Sequence, residues 1–348
     1  MLALSAAVAW LASRPLATAF LPDTPWDHLA LATRLAVIAG GTAGLFALTR
    51  LGGTCLADAR RLYALPDTRS SGATVRWYRY ANPVGLVYNL GRHRHLLRQL
   101  IARDVAVRYR GSYLGVVWSM IMPLMMLAIY AFVFSVVFHA RWAGSAETSR
   151  TDFALTLFAG LIAFTVFSEC MNRAPTLVVA SPNYVKRVIF PLEILPASVV
   201  GSALFHALVS AGVLAAGLLL ARATLPWTFL LLPVAAIPLA ALGLGLGWFL
   251  ASMGVFVRDT AYVAGIATQM LFFLTPIFYP IDAVPGAFRT AMWLNPLTAV
   301  VDSVRCVTMW GRPPDWTVWT AVTAASGAAC LLGYAWFMKT KAGFADVL

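Results

Sequence analysis

Arginines just before the first strongly apolar run are the residues whose type and spacing suggest chemistry. Arg103, Arg108 and Arg110 lie in the sequence RDVAVRYRGSYLG, residues 103–115. A guanidinium group makes forked contacts with phosphate oxygens, so Arg108 and Arg110 are candidates for binding a phosphorylated substrate. The alternative is that they anchor a helix among ordinary lipid phosphates. The residues alone leave both possibilities open.

The sequence has no pattern typical of a metal site, a disulfide framework or a nucleotide-binding loop. The four cysteines lie far apart and form no CxxC pair, which argues against a zinc site or a disulfide framework. None of the three lysines ends a GxxxxGK[ST] loop, the arrangement that cradles nucleotide phosphates. We therefore expect no catalytic residue, metal or cofactor in this chain, and if it is a pump, another polypeptide hydrolyses the ATP.

Composition places these arginines in a membrane protein. Hydrophobic residues make up 60% of the chain and charged residues only 11%, whereas about a quarter of a soluble domain is charged. The net charge of +12 does not predict nucleic-acid binding, because the arginines lie in connections between apolar runs rather than on one face.

The apolar runs predict an all-α integral membrane protein, since each is long enough to cross a bilayer core of roughly 30 Å. We predict a membrane domain over 91–348, a basic cytoplasmic linker over 51–90, and a possible extra hairpin over 1–50. The six core spans are predicted at 113–138, 153–171, 194–221, 227–256, 261–280 and 316–338.

The distribution of lysine and arginine predicts the orientation. If residues 50–110 are cytoplasmic, the cytoplasmic connections hold 18 basic residues and the opposite side holds six. This bias favours a multi-pass protein with both termini in the cytoplasm.

Residues 94–110 are expected to form an amphipathic interfacial helix. Leu97, Leu100, Ile101 and Val105 share one helical face, and most of the arginines lie off it. Such a helix lies along the cytoplasmic leaflet before the chain turns into the membrane.

The loop with the sequence SPNYVKRVIFP predicts a short cytoplasmic helix. Ser181 suits a helix cap, Pro182 the first position and Pro191 the end. Its remaining residues mix apolar and basic side chains, and the candidates for contacting a partner are Asn183, Tyr184, Lys186, Arg187, Val188 and Ile189. The helix either docks in a partner protein or rests on lipid headgroups.

A proline-rich segment on the outer side predicts re-entrant or interfacial helices. Prolines at 276, 280 and 285 interrupt helices, and Asn295 with Pro296 breaks the chain again. Trp293 fits an aromatic belt at the interface, with sugar stacking as the alternative. Deep in the third span, His206 is interpreted as a packed, hydrogen-bonded residue rather than a proton relay.

Five blocks of sequence, in order, resemble the permease subunit of bacterial ABC exporters for polysaccharides and polyol phosphates. They begin RQLIARDVAVRYRG, SPNYVKRVIFP, GLGLGWF, QMLFFLTPIFYP and LNPLTAVVDSVR. The resemblance covers about residue 90 to the end.

The resemblance implies a homodimer in the bacterial cytoplasmic membrane, paired with a separate ABC ATPase that binds ATP and Mg²⁺. It also implies a cargo built on a polyprenyl diphosphate, such as an O-antigen, capsule or teichoic acid chain. Residues 183–190 then resemble the ATPase-coupling helix. The implied substrate or gate residues are Arg108, Tyr109, Arg110, Tyr113, Trp118 and Tyr130, and the implied outer re-entrant residues are Asp282, Pro285, Trp293, Asn295 and Pro296.

Two rival functions remain at this stage. A membrane enzyme acting on polyprenyl phosphate-linked glycans needs converging acids, and Asp104, Glu193 and Asp259 are the available cytoplasmic set. A scaffold for a glycan synthase needs only a docking site, which residues 181–191 provide.

Overall fold

The computed structural model describes residues 82–110, 113–133, 150–185 and 190–348. Within these ranges every regular element is a helix, and several are apolar enough to cross a membrane, which confirms the all-α membrane class. The possible hairpin at 1–50, most of the linker and residues 134–138 of the first predicted span lie outside the described residues.

The α-helices of the described ranges are numbered here in chain order. They are α1 (Pro83–Arg92), α2 (Arg94–Tyr109), α3 (Trp118–Tyr130), α4 (Arg150–Leu177), α5 (Pro182–Val185), α6 (Ile194–Arg222), α7 (Leu232–Ala235), α8 (Ile237–Phe256), α9 (Thr260–Leu274), α10 (Gly286–Trp293), α11 (Pro296–Thr308), α12 (Trp316–Thr340) and α13 (Phe344–Val347). Short 3-10 turns precede α3, α7, α10 and α13.

Four segments are long and apolar enough to span a bilayer: Thr151–Leu177, Ile194–Arg222, Trp227–Phe256 and Trp316–Val347. Two shorter apolar segments, Trp118–Val133 and Thr260–Leu274, lie where the first and fifth spans are predicted.

One predicted span ends earlier than expected, and a second, whose bounds agree with the prediction, is built from several pieces. The span predicted at 261–280 is helical only to Leu274, because Pro276 and Pro280 cannot continue the hydrogen-bond ladder. The span predicted at 227–256 is a 3-10 turn followed by α7 and α8, with Pro233 and Pro238 at the starts of the two helices.

Side chains that accept backbone N–H bonds fix several helix starts. The Asn82 side chain caps α1 by accepting from the Val84 amide at 3.0 Å, with Pro83 in the first position. Asn295 and Pro296 begin α11 in the same way, and Asp315 caps α12. The Asn295–Pro296 break is therefore a helix start.

Helix α4 lies at the centre of the apolar core. Residues on all its sides are buried, including Leu157, Phe158 and Phe167, and it packs against α6, α8, α9 and α11. A helix that is apolar on every side is expected to take such a central position.

Glycines allow α8 to approach both α4 and α12 closely. A methyl group added at Gly245 would lie 2.6 Å from the carbonyl of Ala329, and one added at Gly333 would meet the Gly245 backbone. A methyl group at Gly254 would overlap the Pro175 backbone. Small residues at helix contacts are typical of close packing in membranes.

Helix α2 packs along α6 with the predicted face. Leu100 and Val105 are buried, Ile101 fills the space left by Gly201, and Arg103 is exposed. The end of α2 is thereby placed beside the middle of α4.

Candidate functional site

A cavity of about 1030 Å³ lies between α2, α3, α4, α6 and α9. Polar side chains of α2, α4 and α6 line one end, and an aromatic wall continues along the helices. The polar group is Arg108, Ser168, Glu169, Asn172 and His206, and the aromatic group is Trp118, Tyr130, Phe158, Phe164 and Phe272.

Arg108 reaches across the polar end from the last turn of α2. Its guanidinium pairs with the Glu169 carboxylate through both terminal nitrogens, and Nη1 also donates to His206 Nδ1 at 2.9 Å. Because α4 and α6 supply the two acceptors, the pairing joins the end of α2 to both helices.

Arg173 extends this network away from the cavity. It contacts Asp104 on α2 at 2.5 and 2.8 Å, Glu169 one turn earlier at 2.9 Å, and Ser202 at 3.3 Å. Two guanidinium groups and two carboxylates thus neutralise one another, and they tie α2 to α4 and α6. Charges removed from water remain ionised only when they are paired in this way.

The Asp104 carboxyl group lies outside the spans and keeps its charge. Burial alone would raise its pKa, but hydrogen bonds from Arg173 and Ser202, together with the charges of Arg173 and Arg108, lower it below 3.8. Asp104 is therefore an anion that holds α2 in place, not a proton donor at neutral pH.

The cavity brings together Arg108 and Tyr109 of α2 with Trp118 and Tyr130 of α3. Arg110 and Tyr113 were predicted to belong to the same gate, but neither lines this cavity in the described structure, and both are exposed.

Sequence reasoning missed two members of the polar end. His206, interpreted from sequence as a packed, hydrogen-bonded residue, does contact Arg108, Glu169 (3.4 Å) and the edge of the Tyr109 ring (centroids 6.1 Å), but the sequence did not indicate that it lines the cavity. Glu169 stands four residues before Arg173, and that i,i+4 spacing is the one sequence signal that could have indicated a charge cluster.

The predicted coupling segment is described only in part. Helix α5 covers Pro182–Val185, Asn183 is exposed, and residues 186–189 lie outside the described residues, so Lys186, Arg187, Val188 and Ile189 cannot be placed. Tyr184 accepts a hydrogen bond from Arg103 Nη1 at 2.5 Å and stacks on Phe190 at 4.3 Å. The loop thus touches α2 directly.

The outer segment forms two short helices, α10 and α11. Arg289 of α10 contacts the Asp282 carboxylate at 3.6 Å and donates to its carbonyl at 2.8 Å. Pro285 precedes α10, Trp293 ends it half-exposed, and the Asn295 amide donates to Thr275 Oγ1 at 3.0 Å.

Arg305 of α11, counted from sequence as an outer-side charge, is buried at 3% exposure. Its guanidinium donates to the carbonyls of Pro276 at 2.7 Å, Ile277 at 2.5 Å and Thr156 at 3.2 Å. Broken backbone at membrane depth requires protein donors of this kind, because lipid offers none.

The acids proposed for an enzyme centre do not converge. Asp104 pairs with Arg173, Glu193 binds Asn89 and Lys341, and Asp259 is exposed. Across the part of the chain that the structure describes, no group of three His, Cys, Asp or Glu side chains has the arrangement of a metal site.

Apolar spans surrounding a cavity with one charged end define a multi-pass membrane protein. The family model of the ABC-2 type transporter matches residues 95–309, most of the chain, and the chain belongs to that family.

Two relatives are O-antigen export system permease proteins named RfbA. The Myxococcus xanthus protein is 27% identical over 266 residues, covering 76% of this chain and 99% of that protein. The Klebsiella pneumoniae protein is 27% identical over 263 residues, covering 75% and 98%. The polysialic acid transport protein KpsM of Escherichia coli is 25% identical over 219 residues, covering 61% of this chain and 80% of KpsM.

Proposed function

We propose that the chain is the permease subunit of an ATP-driven exporter that moves a surface polysaccharide or polyol phosphate, carried on a polyprenyl diphosphate, across the bacterial cytoplasmic membrane. The observation that supports it best is the similarity to permeases named for O-antigen export, which covers nearly the whole of those proteins and about three quarters of this chain.

The cavity suits such a cargo chemically. Its aromatic wall offers stacking surfaces for sugar rings, and the Arg108 guanidinium offers forked contacts to a diphosphate. Arg110 and Tyr113 are exposed just before α3 begins. In this proposal they contact lipid headgroups, whereas Arg108 binds the phosphate of the cargo.

The energy comes from a separate ABC ATPase that carries ATP and Mg²⁺. Its docking site is the loop 181–191, with Asn183 and Tyr184 in the described part and Lys186 to Ile189 beyond it. Because Tyr184 contacts Arg103 of α2, motion of this loop passes directly to the helix that carries Arg108.

The working unit is a homodimer with both termini in the cytoplasm. The apolar faces of α3 and α9 are exposed in the single chain, with side chains such as Met122, Ile129, Ile266 and Met270. These faces meet the second copy or lipid.

The proposal is tested by purifying the tagged full chain from its native membranes and identifying co-purifying proteins and lipids by mass spectrometry. We expect an ABC ATPase and a lipid-linked glycan. Val188→Asp should abolish recovery of the ATPase because it places a charge in the docking loop.

Val347→Asp is the matched control, since it places the same charge on an exposed valine of α13, outside the docking loop. It should retain the ATPase. Absence of any ATPase from the parent protein would contradict the proposal, and recovery with both variants would contradict the assignment of the docking loop.

A further inference from the structure

Glu169 and Arg108 form an unequal pair at the cavity. The Glu169 side chain is only 8% exposed, whereas the Arg108 side chain is 39% exposed. Both residues line the cavity. Carboxylate and phosphate oxygens accept the same forked contacts from a guanidinium group. A phosphate entering the cavity therefore competes with Glu169 for Arg108.

Such an exchange leaves no buried charge without a partner. Glu169 keeps Arg173, which contacts it at 2.9 Å and also holds Asp104. Removing one member of a buried ion pair is costly when the other is left alone. Here the second arginine removes that cost, so Arg108 is the member of the network that is able to leave.

His206 offers a hydrogen-bond donor at the same place. Arginine has only donors, so Nδ1 accepts from Arg108 and the neutral ring carries its proton on Nε2. Nε2 is buried, and no partner among the described residues lies within hydrogen-bond distance of it. Because Nε2 is buried, it can donate to an anion only after Arg108 leaves and the ring turns toward the cavity, which His206 lines.

We infer that Glu169 is a built-in competitor for the diphosphate of the cargo, and that Arg108 passes from Glu169 to this diphosphate when the cavity fills. The inference rests on the proposed function. It adds that an anion must bind Arg108 more strongly than Glu169 does before the cavity can hold it. Weakly held anions do not displace Glu169, whereas a diphosphate on a polyprenyl chain does, because its chain also packs against apolar side chains of the cavity such as Met126, Leu161 and Ile162.

The test measures the affinity of the full-length protein for three probes by calorimetric titration in an uncharged detergent. The probes are farnesyl diphosphate, farnesol, and a short-chain phosphatidylglycerol as an ordinary headgroup. Glu169→Gln removes the competing charge and should bind farnesyl diphosphate about tenfold more tightly. Arg108→Gln should bind it at least about tenfold more weakly, with or without the Glu169 substitution.

Two further variants keep the test informative. Glu193→Gln neutralises another buried, paired carboxyl group outside the cavity and should leave the affinity unchanged. Glu169→Asp retains the charge beside Arg173 but shortens the reach to Arg108, so it should show a smaller gain and serves if Glu169→Gln folds poorly.

Each contrary outcome has a separate meaning. If Arg108→Gln weakens binding while both Glu169 variants leave it unchanged, Glu169 is not a competitor, although the proposed function stands. If phosphatidylglycerol binds as tightly as farnesyl diphosphate, the site takes ordinary headgroups and the cargo assignment is overturned. If the parent protein and every variant bind farnesyl diphosphate no more tightly than farnesol, the proposed substrate class fails as well.

Discussion

Glu169 and Glu193 are both buried carboxylates paired with a partly exposed cation, yet their surroundings differ. Glu193 pairs with Lys341 at 3.0 Å and accepts from the amide of Asn89, a residue that is 2% exposed. Glu169 pairs with Arg108 at the wall of a cavity. We infer from this contrast that access for a competing anion, and not burial of the acid, distinguishes a pair able to take part in binding from a structural pair.

The Glu193 cluster fastens four parts of the chain together: α1, the start of α6, α8 and α12. Asn89 of α1 also donates to Tyr334 of α12 at 2.9 Å, and the Trp248 indole of α8 donates to the Glu193 carbonyl at 2.8 Å. Apolar residues close around these groups. Every polar atom named here has its partner inside the protein, so the cluster has no place for a ligand.

The largest expected effect comes from Glu193→Ala. The substitution leaves the Lys341 ammonium and the buried Asn89 amide without their acceptor, and it should lower the free energy of unfolding by about 3 kcal/mol. Glu169→Ala should cost only about 1 kcal/mol, because the freed Arg108 is open to water in the cavity. Thermal and denaturant unfolding in one detergent measures both. Equal losses would contradict the distinction between the two pairs.

The pH dependence of stability should be the next largest effect. Burial would raise the pKa of Glu193, but the charge of Lys341 and the hydrogen bond from Asn89 lower it below 4.5. A lowered folded pKa contributes stability that is complete above pH 4.5 and is lost as the pH falls through the folded value. Unfolding followed from about pH 7 to about pH 3 should show this loss in the parent protein.

Glu193→Gln should show a smaller loss over the same range, because it has no carboxyl group to protonate at this position. The Asp104 pKa is lowered as well, so some acid sensitivity should remain in that variant. Parallel pH profiles for the two proteins would show that Glu193 contributes no charge-dependent stability.

The smallest expected effect is that of Tyr184→Phe. The change removes the hydroxyl that accepts from Arg103, but it keeps the stack on Phe190. The contact is exposed, so stability should fall by less than about 1 kcal/mol. A larger fall in export than in stability, measured in cells, would show that this contact transmits motion between the loop and α2; equal small changes would make it a simple surface contact.

Much of the fold could be predicted because apolar length and helical periodicity are local properties. The buried face of α2 follows from Leu100 and Val105, and the end of α9 follows from Pro276. Capping by Asn295 is also local, although its proline neighbour suggested only a break.

The polar network could not be predicted in the same way, because its members are far apart in sequence. Arg108 is separated from Glu169 by 61 positions and from His206 by 98. Arg305 looked like a loop charge, since nothing in the sequence shows that the carbonyls of residues 276 and 277 need a donor. The function was easier to predict, because that prediction rested on several blocks of similarity that occur in a fixed order along the chain.

The glycine contacts of α8 have a mechanical consequence. The helices are in direct backbone contact at Gly245, Gly254 and Gly333, so no layer of side chains separates them there. Sliding of one helix past another would bring their backbones into collision. We therefore expect α4, α8 and α12 to move together as one rigid unit. Motion in a transport cycle is then expected between this unit and the other helices that line the cavity, α2, α3, α6 and α9.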